Sequence, residues 1–505
     1  MNIGDAIPRN AQHFPNKLAV QDERRSLTFG DLHERTNRLG NYLLGQGVLP
    51  GDIVAVSCGN RCEHLEVLFA LARIGVTIVP FDYNWSERER AAMLAFYEPK
   101  AYLVEQRKET AGAIGGLVDR WSHGRMVLIG GDGDAGVPSY DRIMESAAGG
   151  DPAVRVDGKD PYLIMTTSGT TGFPKGCIIN HETYVLRSLN NAIHRAFHRD
   201  ARALLTLPLQ FNAGRGSTVG VLFIGGTVFI HERFNEEAFL KLIEEERITF
   251  TVMVPTQIER LMKISGVAER DTGSLEYVGV TGGHLAPDLV HGMAEKVCPN
   301  ISQAYASTDC GQSTMLTPAH VASHGDTVGR PVWSTLVGVL DDTGNELPIG
   351  SEGEICVQSP LVIQGYYQNP EATEEFFQGG WCHTGDIGYL DNEGYLRLSG
   401  RKKNMIKSGG ISIFPEEIED ALLQHDKVEE VAVVGIKSDE WGEAVKALVV
   451  LKQGAKCDPE TLIAFCKQTL TPYKAPKAVE FVASIPRTGL GKIDRGKIAA
   501  IAGDV

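Results

Sequence analysis

The stretch Thr166-Thr167-Ser168-Gly169-Thr170-Thr171-Gly172-Phe173-Pro174-Lys175-Gly176 packs five hydroxyl side chains, three glycines and one lysine into eleven consecutive residues. It follows the apolar run Tyr162-Leu163-Ile164-Met165, which reads as a buried strand. The stretch is too polar and too flexible for a core element, and its chemistry is that of a phosphate cradle. Glycines let backbone N–H groups turn toward an anion, hydroxyls donate further hydrogen bonds, and Lys175 neutralises charge. The spacing differs from G-x-x-x-x-G-K-[ST], so this is not a Walker A loop. A Gly/Thr composition alone also fits an ordinary surface loop; the unbroken pattern over the whole stretch does not.

Further segments with chemical potential follow in order. Ala304-Tyr305-Ala306-Ser307-Thr308-Asp309 sets an aromatic ring, hydroxyls and an acid together after the strand-like Asn300-Ile301-Ser302-Gln303. His383-Thr384-Gly385-Asp386-Ile387-Gly388 and Gly400-Arg401-Lys402-Lys403 come next, then Met405 to Glu419 with its paired Gly409-Gly410. Pro486-Arg487-Thr488-Gly489-Leu490-Gly491-Lys492-Ile493-Asp494-Arg495 closes the series. The first stretch resembles the [YT]-[TS]-S-G-T-T-G-x-P-K-G signature of the adenylate-forming enzymes: acyl-CoA synthetases, adenylation domains of peptide synthetases and firefly luciferase. The later ones resemble that family's Y-G-x-T-E, x-T-G-D, G-R-x-[DK], x-G-G-x-N-I-x-P-x-E-I-E and P-[RK]-T-x-x-G-K-[IV]-x-R segments, in the family's order.

The resemblance implies roles. Thr167, Ser168, Gly169, Thr170, Thr171, Gly172 and Lys175 would hold the β- and γ-phosphates of ATP. Tyr305 would stack on adenine, as a flat ring matches a base face. Thr308 would meet the α-phosphate, and Asp309 would bind Mg²⁺, for which a carboxylate is a hard oxygen ligand. Gly282, Gly283 and His284 belong to the same nucleotide site by resemblance. Asp386 would accept the ribose hydroxyls, with Arg401 offering its planar donor fork nearby. Lys403 stands at the family's hinge. Gly409 and Gly410 would let backbone lie against the pantetheine of CoA, and Trp441, Tyr473 and Lys477 fall where related aryl-CoA ligases contact the CoA nucleotide. Lys492 would bridge the substrate carboxylate and the α-phosphate, offsetting the repulsion between two anions. The chain departs from the family pattern at Ala306 for Gly, Asp309 for Glu and Ser412 for Asn. Asp keeps the charge of Glu but reaches one methylene less far.

These segments need elements to position them. From Asp31 to about Gly329 short β-branched runs alternate with helical patterns, which predicts an α/β fold with largely parallel sheets. The runs include Ile53–Val56, Thr77–Pro80, Thr227–Ile230 and Tyr277–Val280; Glu63–Ile74 and Glu236–Glu245 are predicted helices. Past Arg330, glycines punctuate short strands such as Glu354–Val357, predicting a distorted β-barrel or small antiparallel sheet over 331–400. The last hundred or so residues suffice for a small α+β domain, with helices at Pro415–Leu423 and Pro459–Leu470, strands at Val431–Ile436 and Val445–Leu451, and a Gly-rich terminal loop. The expected organisation is an N-terminal ATP- and acid-binding domain over 1–400, a hinge at 401–403 and a mobile lid over 404–505.

Totals bound the partners. The chain has 505 residues, 43% apolar and 22% charged, as in globular proteins, and a formal charge of −15. That charge argues against nucleic acid as main partner. The longest apolar stretch, Val219 to Ile230, is shorter than the roughly 20 residues needed to span a bilayer. No basic-then-apolar leader follows Met1, and nine scattered cysteines suit a reducing cytoplasm. A homodimer is compatible with these totals.

The expected activity is ATP-dependent acylation of a thiol: a carboxylate becomes an acyl adenylate with release of pyrophosphate, then passes to CoA. Leu207-Pro208-Leu209-Gln210-Phe211-Asn212-Ala213-Gly214 resembles L-P-L-F-H-x-x-G, with Phe211 in place of His. Asn212 lacks the charge that amino-acid-activating relatives place nearby, and Ala304 replaces the Arg of malonate-activating relatives. Phe211, Gly283, Ala304, Ala306 and Gln312 would line an acyl pocket for a neutral-bodied monocarboxylate, with aryl or alicyclic acids preferred over fatty ones. The alternatives are transfer to the pantetheine of a carrier protein, a luciferase-like oxygenase, and a nucleotide-binding pseudoenzyme acting as a scaffold.

Overall fold

Short β-branched runs become the buried strands of two mixed sheets in the first of two compact units, which comprises Met1–Val337 and Val357–Cys382. The computed structural model describes residues 1–107, 125–131, 137–167, 175–195, 197–283, 285–408, 411–438, 440–487 and 493–502. Thr77–Pro80, Thr227–Ile230 and Tyr277–Val280 are strands at the predicted bounds, and each is buried throughout. Strands covered on both faces show no polar alternation, so they read as continuous apolar runs.

One sheet has nine strands, ordered Arg330–Pro331, Gly311–Leu316, Ile301–Ser307, Tyr277–Val280, Phe250–Met253, Arg202–Leu205, Thr227–Ile230, Leu18–Gln21 and Ser26–Thr28. Its central pairs are parallel, and its outer pairs are antiparallel. The other sheet has seven, ordered Gly365–Tyr366, Lys175–Asn180, Pro161–Thr167, Thr77–Pro80, Ile53–Ser57, Ala101–Glu105 and Met126–Ile129. Helix Cys62–Arg73 is buried along its whole length, its charged Glu63, Glu66 and Arg73 paired with Arg61, Arg35 and Asp151, as buried charges require. Phe29–Gly45 starts at a capping box, Thr28 Oγ1 accepting from Asp31 N at 3.1 Å, which satisfies a donor that the first turn leaves open.

The second unit comprises Gly338–Cys356 and His383–Val505. The glycine-punctuated segment forms a four-stranded sheet, in the order Leu336–Leu340, Gly353–Gln358, Cys382–Leu390 and Leu396–Arg401. Further on, strand Val428–Ser438 pairs antiparallel with Gly442–Leu451. Period-two alternation splits the strand's apolar residues between two cores. Val431 and Val433 pack with Ile418 and Leu422 of helix Pro415–Leu423 and with Leu462 and Cys466 of helix Pro459–Thr469. Ala432, Val434 and Ile436 pack with Ile498. Both helices begin with proline, whose fixed φ and missing N–H suit the first turn. The predicted terminal loop ends instead in a helix, Arg495–Ala502. Its Ile498 is fully buried against the second face of the strand, and that tertiary burial outweighs the local glycine signal. Among the described residues no helix is long and apolar enough to cross a membrane.

One ion pair ties two of the sequence segments together. Arg495 Nη1 lies 2.7 Å from Glu419 Oε1, and Arg495 Nη2 lies 2.8 Å from Glu419 Oε2 and 3.2 Å from Glu416 Oε1. Arg495 Nη1 also donates to Val433 O, whose own N–H donates to Glu419 at 2.7 Å. Burial raises the Glu419 carboxyl above its ordinary range, with Arg495 opposing the shift. Breaking a buried pair leaves a charge uncompensated, which costs about 3–5 kcal/mol when fully buried. Because Arg495 keeps partial exposure, Glu419→Ala should destabilise this unit by about 2–3 kcal/mol. Chemical denaturation of Glu419→Ala, Arg495→Met and the double variant checks this: losses should be strongly non-additive, and simple additivity would show that the pair is not coupled.

Candidate active site

Thr167 and Lys175 are register partners at the loop end of the hairpin formed by Pro161–Thr167 and Lys175–Asn180. The loop between them, including Ser168, Gly169, Thr170, Thr171 and Gly172, lies outside the described residues. The phosphate-cradle segment thus joins two antiparallel strands. Thr167 Oγ1 donates to Lys175 O at 3.3 Å, and Tyr97 OH bonds Thr166 Oγ1 at 3.1 Å.

A strand from far along the chain completes this end. Gly365–Tyr366 pairs antiparallel with Lys175–Asn180, setting Tyr366 opposite Cys177. Lys175 and Cys177 are two apart on one strand and so share a face. Lys175 Nζ sits 4.8 Å from the centre of the Tyr366 ring, a cation–π contact that holds an ammonium without neutralising it. The Tyr366 hydroxyl donates to Asp309 Oδ1 at 2.8 Å, and Cys177 Sγ donates to the same oxygen at 3.2 Å. Burial, reinforced by the Asp309 charge, pushes the Tyr366 hydroxyl and the Cys177 thiol up, so both stay protonated donors.

Beneath Thr308 and Asp309 lies Arg187, a buried guanidinium that donates to Leu361 O at 2.7 Å, Thr308 O at 3.1 Å and Asp309 O at 3.4 Å. The turn itself is closed by Cys310 N donating to Ser307 Oγ at 2.9 Å. Both side-chain hydrogen bonds to Asp309 fall on Oδ1; among the described residues none falls on Oδ2. A carboxylate oriented by one oxygen, with the other uncommitted, fits Mg²⁺, which takes one or two carboxylates plus phosphate and water.

Across the adjoining strands, Ala304 pairs with Met315, Tyr305 with Thr314 and Ala306 with Gln312, with a bulge between Tyr305 and Ala306. Gln312 is buried; its Oε1 accepts from Asn190 Nδ2 at 3.4 Å, while its Nε2 has no partner among the described residues. Phe211 caps helix Asn212–Ile224 and is half-buried. Gly282 turns the chain after strand Tyr277–Val280 at φ 85°, a left-handed conformation suited to glycine. Gly283 follows it, exposed, and His284 lies outside the described residues.

In the second unit, Asp386 and Arg401 are register partners and bind each other, Arg401 Nε to Asp386 Oδ1 at 2.7 Å. Asp386 is buried, whereas Arg401 is 45% exposed along its side chain. Lys403 is exposed in the short turn Lys402–Asn404. Lys477 Nζ lies 4.7 Å from the Trp441 ring centre, so these two sequence-predicted residues meet, and Tyr473 is exposed in the turn Pro472–Lys474. Gly409, Gly410 and Lys492 lie outside the described residues; the segment holding Lys492 is flanked by the bridge between Arg487 and Ile493 and by the Arg495 ion pair.

Sequence reasoning missed Tyr366, Cys177 and Arg187. Cys177 had a signal, its same-face spacing from Lys175. Tyr366 and Arg187 act through partners distant in sequence and had none.

Residues 7–367 match the AMP-binding enzyme family, and residues 417–492 match the AMP-binding enzyme C-terminal domain. The chain is 34% identical over 498 residues to a feruloyl-CoA synthase of Amycolatopsis sp, covering 98% of each. It is 33% identical over 502 residues to an indoleacetate–CoA ligase of Aromatoleum aromaticum, covering 99% of this chain and 98% of that relative. Its fold is similar to that of ATP-bound MatB from Rhodopseudomonas palustris, at a TM-score of 0.90 and 26% identity over 100% of this chain and 99% of that one.

The clamp on Asp309 has a measurable consequence. A hydrogen bond to a charged group contributes about 1.5–3 kcal/mol, so with Asp309 as the Mg²⁺ ligand that the resemblance implies, Tyr366→Phe should raise the Mg²⁺ concentration for half-maximal pyrophosphate release roughly tenfold. Titrating Mg²⁺ at saturating ATP checks this, and an unchanged Mg²⁺ dependence would remove Tyr366 from the account.

Proposed function

We propose a reaction for this chain from one premise: it belongs to the AMP-binding enzyme family and is an AMP-forming acid–thiol ligase. In the first step a substrate carboxylate oxygen attacks the α-phosphorus of ATP, forming acyl-AMP and expelling pyrophosphate. In the second the thiol of CoA, losing its proton, attacks the acyl carbonyl and expels AMP.

Lys175 and the Thr167–Gly172 segment hold the β- and γ-phosphates, with Lys175 positioned over the Tyr366 ring. Thr308 contacts the α-phosphate, Tyr305 stacks on adenine beside Gly282, Gly283 and His284, and Asp386 with Arg401 holds the ribose end. Asp309 holds Mg²⁺, which when bound supplies charge neutralisation to the phosphates. Lys492 brings the two anions together; a donor aimed at developing charge is worth about 10²–10³ in rate. A hinge at Lys403 between residues 1–400 and the lid 404–505 exchanges Lys492 for Gly409-Gly410, a domain motion that separates the half-reactions. Trp441, Tyr473 and Lys477 receive the CoA nucleotide; the exposed Lys477–Trp441 pair joins a cation for phosphate to a ring for adenine, which supports this role.

The observation that carries the reading is the Lys175–Tyr366–Asp309 cluster, which brings the cation of one motif and the acid of another onto a single ring and its hydroxyl. The acid is an aryl monocarboxylate. Support comes from the small Ala304 and Ala306 beside an apolar Phe211, with no charged side chain among the proposed lining residues, and from relatives named for ferulate and indoleacetate. Gln312 Nε2 offers one buried donor to a polar group on that acid.

Two variants separate the steps. Lys492→Ala should cut acyl-AMP formation by about 10²–10³ while leaving thioesterification of supplied acyl-AMP within a few-fold. Gly410→Leu should do the reverse, sparing pyrophosphate release and slowing thioester formation. Rapid-quench measurement of each half-reaction checks both, and equal losses in the two steps would refute the division of labour.

A further inference from the structure

Glu354 and Cys356 are two residues apart on strand Gly353–Gln358 and so project from one face. The neighbouring strand, Cys382–Leu390, brings His383 against them. His383 Nδ1 lies 3.5 Å from Cys356 Sγ and 3.3 Å from Glu354 Oε2, and all three ligand atoms fall within 4.8 Å of one another. All three residues belong to the second unit. A tetrahedral ion bound at about 2.3 Å to sulfur and about 2.0–2.1 Å to nitrogen and oxygen sets its S and N ligands about 3.5 Å apart and its N and O ligands about 3.4 Å apart. The observed separations are already those of two edges of such a tetrahedron.

We propose that Glu354, Cys356 and His383 form a binding site for a borderline divalent cation of the Zn²⁺ class, with water in the fourth position. The donor set chooses the metal: a thiolate and an imidazole favour Zn²⁺ or Cd²⁺, while Mg²⁺ prefers an all-oxygen shell. The site is therefore separate from the proposed Mg²⁺ role of Asp309. Cys356 is fully buried, whereas Glu354 and His383 keep 13% and 19% of their side chains exposed, so the ion enters from their side. On binding, the Cys356 thiol loses its proton to solvent, and the His383 proton resides on Nε2, leaving the Nδ1 lone pair for the metal.

A lysine stands beside this site. Lys402 Nζ is 3.2 Å from Glu354 Oε2 and 3.1 Å from Asp342 Oδ1. The ammonium marks the carboxylate as a place where positive charge is stabilised, and it competes with an incoming ion for Glu354. Gly385 N donates to the other carboxylate oxygen, Oε1, at 3.2 Å, which holds the side chain in orientation.

The test uses the native full chain in excess Mg²⁺. Cd²⁺ should give an ultraviolet thiolate-to-metal absorption band, and Zn²⁺ should abolish it by competition. Calorimetry in buffers of different ionisation enthalpy should show proton release with Zn²⁺ binding. Cys356→Ser and His383→Asn should each weaken binding about 100-fold or more, since loss of even an outer-shell partner costs about 10–100-fold. Cys457→Ser, at a partly exposed thiol elsewhere, should change nothing. Lys402→Met should tighten binding up to about fivefold, the scale of an exposed ion pair. No absorption band from the native chain would overturn the proposal whether or not the variants fold, and so would a Cys356→Ser protein that binds as tightly as the native one.

Discussion

Two anions, a carboxylate and a triphosphate, must meet on a protein whose own formal charge is −15. Like unit charges about 4 Å apart repel by about 1 kcal/mol in water and about 4 kcal/mol near a protein surface, so each cation that serves the reaction must be local and already in place. Each unit holds one of the proposed cations with a different kind of partner. In the first, Lys175 rests on the Tyr366 ring, which positions its side chain through the ring quadrupole, in keeping with the phosphate-binding role proposed for it. In the second, Arg401 is held by Asp386, and its exposed guanidinium keeps donors beyond the Nε that binds the carboxylate.

Tyr366 does two tasks at once, because its hydroxyl also holds Asp309. Aspartate stands here where the family has glutamate, and its reach is shorter. The shorter side chain is oriented by Tyr366 and Cys177 on one oxygen, while Arg187 braces the backbone of the same turn. Orientation of a carboxylate by neighbouring donors is the usual second layer of a metal site. The thiol and phenol can act this way because burial keeps both protonated.

The parts legible in the sequence were those governed by local pattern. Runs such as Thr227–Ile230 and Tyr277–Val280 are β-branched and buried on both faces, so composition alone marked their limits. Pro415–Leu423 announced itself by a proline at its first position and acids in its first turn. The proposed site residues Thr167, Lys175, Thr308, Asp309, Asp386 and Arg401 were singled out because they sit in contiguous segments. What escaped depends on distance in sequence: Cys177 and Asp309 are 132 residues apart, Arg187 and Leu361 174 apart. Nothing near Tyr366 or Arg187 encodes those meetings. The terminal helix escaped because the glycines of its flanking loop dominate the local signal, while the burial of Ile498 is a tertiary fact. The mutual pairing of Asp386 and Arg401 was equally hidden, since it follows from strand register.

The central claim is that an acid is activated by ATP and handed to CoA. It is tested most directly by pyrophosphate release from Mg·ATP with a panel of aryl and aliphatic monocarboxylates, each with and without CoA. The account predicts release that requires an aryl acid and becomes multiple-turnover only when CoA is present. Release that ignores the acid, or that turns over equally well without CoA, would contradict it.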